Sequence, residues 1–191
     1  MFRKRNILKN QRGVAALEFA LVAPLFFGFV LGIVDVCLYF AVAGQLQHAV
    51  VQAARQIRTG NVVGNTGASR DAFRVAVCDH IKIGLVNNCA TNVRVDIRSF
   101  NSFGAISLPT SLDANSNGTI EDGETVFDTG GASCPVVVRA FFNYHTLVPG
   151  LQNLLAAVVP NSTYITAAVA FRNEPFTGGT SSSCVTAGDL N

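Results

Sequence analysis

Between Asp113 and Glu124 the sequence reads Asp-Ala-Asn-Ser-Asn-Gly-Thr-Ile-Glu-Asp-Gly-Glu. Side-chain oxygens stand at the first, third and fifth places of this stretch (Asp113, Asn115, Asn117), and Gly118 at the sixth allows a sharp turn. The Thr119 carbonyl fills the seventh place, Ile120 points inward at the eighth, Glu121 serves the ninth through water, and Glu124 closes the ring with two oxygens. Hard oxygen donors on alternate residues encircle a cation the size of calcium, whereas the imidazole and thiolate ligands that zinc favours are absent from the stretch. The expected cofactor is therefore a structural Ca2+. With Asp113, Glu121 and Glu124 as the only carboxylates that serve as ligands, the site should bind at about 10⁻⁵ to 10⁻³ M. The plain alternative is a polar surface turn that binds nothing.

Neither flank of this loop, Ser107-Leu-Pro-Thr or Thr125-Val-Phe, reads as the helix that would border it in an EF-hand. The loop should instead lie between strands. Elsewhere the sequence offers little chemistry. It has no Gly-x-Ser-x-Gly, no phosphate-cradling glycine loop and no His-Glu-x-x-His, and its three histidines are scattered. His48 reads as a solvated helix residue and His145 as a turn or core residue. Asn161-Ser-Thr163 fits a glycosylation acceptor, which matters only in a eukaryotic secretory pathway. The reading is of a protein that is not an enzyme.

Five cysteines suggest an oxidising compartment if the chain is exported. Cys37 falls in an apolar run, and the other four allow three connectivities. Proximity along the chain favours Cys78 with Cys89, and Cys134 with Cys184, the latter tying a Gly/Ser-rich tail back to a core strand.

The chain has 191 residues, 49% hydrophobic and only 14% charged, with a mean hydropathy of +0.36. That suits one domain with an appendage and excludes wholesale disorder. The net charge of +2 hides an asymmetry: Arg3, Lys4, Arg5, Lys9 and Arg12 precede Gly13 without one acidic residue. The remainder carries nine basic against twelve acidic residues, too thin a basic surface for nucleic acid. Phe19 to Val34 is free of charge, and apolar residues continue beyond Asp35 to Gly44. Such a run spans a bilayer as a helix, and the basic leader keeps the N-terminus cytoplasmic. A cleaved signal peptide, with Val42-Ala43-Gly44 as its site, would have a shorter apolar run and no Glu18 inside it. Asp35, near the outer boundary, is expected either to snorkel or to pair with another subunit.

Gly13-Val14-Ala15-Ala16-Leu17-Glu18-Phe19 is a glycine, four small or apolar residues, a glutamate and an aromatic. This resembles the prepilin processing site of the tight-adherence (Flp) pilus, and about 45 residues from Asn10 to Gln56 resemble the TadE family of minor pilins, or pseudopilins. Phe19 is a departure, since major Flp pilins usually carry tyrosine there. The resemblance implies cleavage by a prepilin peptidase between Gly13 and Val14. It also implies that Glu18 pairs with the terminal amine of a neighbouring subunit, because a charge buried alone is costly and a pair is tolerable. The implied partners are that peptidase, other pilins or pseudopilins and the inner-membrane assembly platform. The implied location is the bacterial inner membrane, crossed once, with the head in the periplasm or carried into a surface pilus. The alternative function is an uncleaved, membrane-anchored periplasmic calcium-binding module with no filament role.

The elements that must position these residues follow from periodicity. Leu46, Val50, Ala53 and Ile57 recur at spacings of four, three and four, so the membrane helix should continue as an amphipathic one to Arg58. Pro24, Gly28, Gly32 and Gly44 are candidate kinks. A glycine- and asparagine-rich connector follows, Gly60 to Gly67, and then a second helix capped by Ser69 with Phe73, Val77 and Ile81 inward. Val93 to Arg98 alternates as a half-exposed strand, Cys134 to Tyr144 and Thr163 to Arg172 read as longer strands, and Leu151 to Val159 as a short helix or buried loop. The fold class is α+β, a long N-terminal helix followed by a small head with a short helix and an antiparallel sheet. Its parts are a basic leader (1–13), a transmembrane helix (14–44), a helix extension and connector (45–68) and an exported head (69–191) carrying the loop 113–124.

Overall fold

A computed structural model describes residues 13–62, 66–81, 89–144, 164–176 and 184. The basic leader, His145, the segment 151–159 and the Gly/Ser tail lie outside the described residues. Helix α1 (Val14–Arg58) runs unbroken for 45 residues through Pro24 and the glycines. At 1.5 Å per residue that is about 67 Å. Its first half presents Leu21, Leu25, Phe26 and Phe29 to the outside. The second half buries Val42, Leu46, Ala49, Val50, Ala53, Ala54 and Ile57. One helix thus serves two solvents, lipid-compatible all round at first and amphipathic after Asp35.

Helix α2 (Gly67–Asp79) is capped by Thr66 rather than Ser69: the Thr66 hydroxyl accepts from the Ser69 amide at 3.2 Å. A side-chain oxygen two or three residues ahead of an orphan N–H satisfies it, and Thr66 has that spacing where Ser69, already inside the first turn, does not. Phe73 and Val77 are fully buried, while Ile81 lies past the helix end and is half-buried. The single turn α3 (Cys89–Asn92) leads directly into β1 (Val93–Ser99). Strands β2 (Pro135–Asn143) and β3 (Tyr164–Arg172) complete an antiparallel sheet of order β1-β2-β3, with Asp96 opposite Arg139 and Val138 opposite Val169. Helices and sheet together give the expected α+β arrangement.

One face of the sheet, with Val95, Ile97, Val136, Val138, Ala140, Ile165 and Ala167, packs on α1 and α2 in a single core. Burying a side chain such as Leu46, Ile57 or Phe73 contributes roughly 1.5–3 kcal/mol each. The other face of β1 and β2 is covered by the long excursion between those strands. Leu112 and Ile120 from that excursion pack on Phe141, with Tyr164 alongside. The returning chain then bridges β1 in parallel, Ile97 donating to Val126 at 2.8 Å and Asp128 donating back to Ile97 at 2.9 Å.

This covering corrects the expectation of a half-exposed β1. Asp96 is 1% exposed in its side chain, and its carboxylate accepts from Arg139 at 2.6 and 3.1 Å, from Arg98 at 3.1 and 3.2 Å, and from the Val126 amide at 2.9 Å. Asp96 and Arg98 of the strand therefore join Arg139 in a largely buried network, while Arg94 stays partly exposed beside Asp122.

Both disulfides join the expected pairs. Cys78–Cys89 links the end of α2 to α3 with a Cα–Cα distance of 5.8 Å, and Cys134–Cys184 links the start of β2 to the tail at 5.5 Å. Cys37 is free and exposed. After β3 the chain straps across the end of α1. Asn173 donates to the Thr129 and Gly131 carbonyls, the Glu174 amide donates to Arg58, and the Phe176 ring lies over Gly60. Gly60 has φ +76°, and a Cβ there would stand 2.7 Å from the ring, so both backbone and space require glycine.

Candidate functional site

The loop 113–124 folds around its own side-chain oxygens. Asp113 accepts the amides of Asn117 at 3.0 Å and Gly118 at 2.8 Å, and Asn115 accepts Asn117 at 2.9 Å. Asn117 accepts both the amide and the hydroxyl of Thr119 at 2.7 Å. Glu124 reaches back across the loop to accept Ala114 at 2.9 Å and Asn115 at 3.3 Å with one oxygen, and Glu121 at 3.0 Å with the other. Gly118 has φ +80°, the left-handed geometry for which the sixth place needs glycine, and Ser116 shares it at +57°. Ile120 turns inward as expected.

The structure thus brings Asp113, Asn115, Asn117, Thr119, Glu121 and Glu124 into one compact turn. The carboxylates at its two ends engage loop amides. Among the described residues no group of three or more His, Cys, Asp or Glu side chains stands close enough to hold a metal ion. The donors are all hard oxygens, the type calcium takes, and a cation here would exchange amide donors for itself.

Residues that the sequence reading passed over hold the loop to the head. Asp122 forms an ion pair with Arg74 of α2, and Arg94 of β1 lies 3.6 Å away. Arg70 donates to the carbonyls of Asp122 at 2.9 Å and Thr125 at 3.4 Å, and Arg94 donates to Ile120 at 3.1 Å. The Ile120 amide donates to the Tyr164 hydroxyl at 2.9 Å. Arg70 and Arg74, four apart on α2, give the one legible signal: two cations on a face that also carries the buried Phe73 and Val77.

At the other end of the molecule, Gly13 precedes α1 with φ −103°, and among the described residues nothing lies within 4 Å of where a Cβ would stand. The described residues make no demand for glycine there. Val14 and Glu18 are exposed on the first turns of α1, and Glu18 has neither hydrogen bond nor ion pair among the described residues. Asp35 behaves otherwise than expected. It is buried at 1% exposure and its carboxylate accepts from the Tyr144 hydroxyl at 2.8 Å, within the same chain. Head and helix meet there, which removes the need for snorkelling or for a second subunit. Burial, and then the hydrogen bond and charge of Asp35, push the Tyr144 hydroxyl well above its ordinary pKa, so it stays a donor.

Among the described residues α1 is the one helix long and apolar enough to cross a membrane, and it fits a single-pass anchor. Val14 to Val34 at 1.5 Å per residue spans about 30 Å, the thickness of the hydrocarbon core. No curated protein and no solved structure matches the chain. Residues 13–55, from the glycine before α1 almost to that helix's last turn, match the model of the TadE-like protein family, and this helix is the TadE-like part of the chain.

Proposed function

We propose that the protein is a minor pilin or pseudopilin of a tight-adherence pilus, a structural subunit without catalysis of its own. The observation that carries this reading is the TadE-like match over residues 13–55, which begins at Gly13 and takes in the exposed apolar half of α1 and most of the half that packs on the head. A glycine that the fold does not use suits a protease that must draw the backbone into an extended strand. A prepilin peptidase cuts between Gly13 and Val14, and Glu18 of one subunit neutralises the new Val14 ammonium of another. The N-terminus is cytoplasmic, the head is periplasmic, and the partners are other pilins and the inner-membrane assembly platform. Two disulfides suit an oxidising periplasm. N-terminal sequencing of the mature protein tests the proposal. A chain starting at Val14 supports it, and one starting at Met1 in cells that process other prepilins overturns it in favour of an uncleaved anchored module.

Within that reading the loop 113–124 holds a structural calcium ion through Asp113, Asn115, Asn117, the Thr119 carbonyl, Glu121 and Glu124. The support is the hard-oxygen donor set at the spacing calcium uses, together with the sharp turn at Gly118. Its effect would be to stiffen the covering of β1 and β2.

A further inference from the structure

Asn117-Gly118 is the one Asn-Gly pair in the sequence, and it stands in the loop 113–124. An asparagine followed by glycine carries a reaction of its own. The backbone nitrogen of the next residue can close a five-membered ring on the side-chain amide, and glycine leaves that nitrogen unhindered. Closure requires that the nitrogen lose its proton and that charge developing on the amide oxygen be stabilised. The loop supplies both.

The Gly118 N–H donates to Oδ2 of Asp113 at 2.8 Å, the reach of a general base. Oδ1 of Asn117 accepts the N–H and the hydroxyl of Thr119, each at 2.7 Å. Two donors on one amide oxygen are what stabilises the oxyanion of a tetrahedral intermediate. Nδ2 of Asn117 donates to Oε1 of Glu121 at 3.3 Å, which keeps the amide turned with its oxygen on Thr119. The backbone is held too, since the Asn117 N–H donates to Asp113 at 3.0 Å and to Asn115 at 2.9 Å. Nucleophile, base and oxyanion donors are thus fixed within one turn, the condition under which an intramolecular step gains most. Asn117, Gly118 and Thr119 are exposed, so water reaches the ring once it forms.

We propose that Asn117 is a site of self-catalysed deamidation, with Asp113 as the base and Thr119 as the oxyanion donor. The Gly118 nitrogen forms a bond to Cγ of Asn117 while its proton passes to Asp113. The Cγ–Nδ2 bond then breaks, and the amine takes up that proton and leaves as ammonia. Water opens the remaining succinimide at one of its two carbonyls. Attack at Cγ gives aspartate at 117, and attack at the main-chain carbonyl gives isoaspartate with one more carbon in the backbone. The aspartate product loses the donor to Glu121 and sets a like charge beside it. Resting on the calcium reading above, that product adds a fourth carboxylate to the ligand set and tightens the site.

The full chain, kept in detergent with EDTA at neutral pH and physiological temperature, tests this by peptide mass mapping over days. An isoaspartate methyltransferase assay counts the second product, and EDTA separates the outcome from the calcium reading. Asn117 should convert faster in the native chain than in the same chain in guanidinium chloride. Asp113→Asn keeps an acceptor for Gly118 and removes the base. A positioned base contributes about 10²–10⁴-fold, so this variant should slow the native reaction at least about tenfold. Where it does not keep both disulfides and wild-type melting, the exposed Thr119→Val, one oxyanion donor short, decides by the same margin. No conversion at Asn117, conversion no faster in the native chain than in the denatured one, or a smaller fall in the folded variant each overturns the proposal.

Discussion

The Tyr144 hydroxyl donates to the Asp35 carboxylate at 2.8 Å across 109 residues of sequence. Tyr144 follows the end of β2, and Asp35 is the first charge after the apolar half of α1. The contact therefore fixes where the head sits along the helix, immediately beyond the segment that matches a bilayer in length. The Tyr39 ring packs edge-on against Tyr144 at 5.5 Å between centroids and shields the pair.

Tyr144→Phe keeps the ring and removes one donor from a buried carboxylate. A hydrogen bond to a charged group contributes about 1.5–3 kcal/mol, so the variant should lose that much stability in detergent. Because the hydroxyl's folded pKa is raised, the wild-type contribution is whole below the ordinary tyrosine value near 10 and is lost as pH rises through the higher folded value. Denaturation of the wild type and Tyr144→Phe should differ by the same amount at pH 7 and pH 9, and converge only above about pH 10. A difference that vanishes between pH 7 and pH 9 would contradict this contact.

Glu18→Ala makes the exposed half of α1 more apolar. A carboxylate costs roughly 2.5–3.5 kcal/mol at the centre of a membrane helix and less near an end, so insertion should be undiminished. Co-purification with other pilins, and surface piliation, should fall. Wild-type piliation by the variant would remove the pairing with the Val14 amine.

Calcium should raise the melting temperature of the protein by linkage, by an amount that grows with the ratio of its concentration to Kd. Titration calorimetry on the full chain, with melting followed in millimolar calcium and in EDTA, checks this. The wild type should show heat and a shift, and Asp113→Ala neither. Equal behaviour of the two proteins would leave the loop as a self-bonded turn.

Asp96→Ala leaves Arg139 and Arg98 with no carboxylate between them in a nearly closed space. Removing one partner of a buried ion pair costs about 3–5 kcal/mol, and the head should lose that much. Asp96→Leu combined with Arg139→Met should recover only part of it, because an apolar pair of similar volume carries no desolvation penalty while Arg98 still lacks its carboxylate. Chemical denaturation of the single and double variants in the same detergent measures both.

Much of the architecture was legible along the chain because it rests on local periodicity. The charge-free run, the stripe Leu46, Val50, Ala53 and Ile57, and the alternation in β1 each repeat within a few residues, so helix and strand follow from pattern alone. The turn at Gly118 and the inward Ile120 were equally local. Proximity in sequence also sufficed for Cys78 with Cys89, and left Cys134 its partner in Cys184.

The tertiary structure decided what depends on residues far apart. Asp35 alone could face lipid, water or another subunit; the return of Tyr144 to the same level of α1 gives it a donor within the chain. The charges of β1 look like a solvated face until the excursion 106–128 folds over them and Arg139 arrives opposite Asp96. Asp122 becomes a fastening of the loop only once α2 and β1 bring Arg74 and Arg94 to it. Burial and electrostatic pairing are properties of three-dimensional neighbours, and a linear pattern carries no record of which distant charge will be brought near.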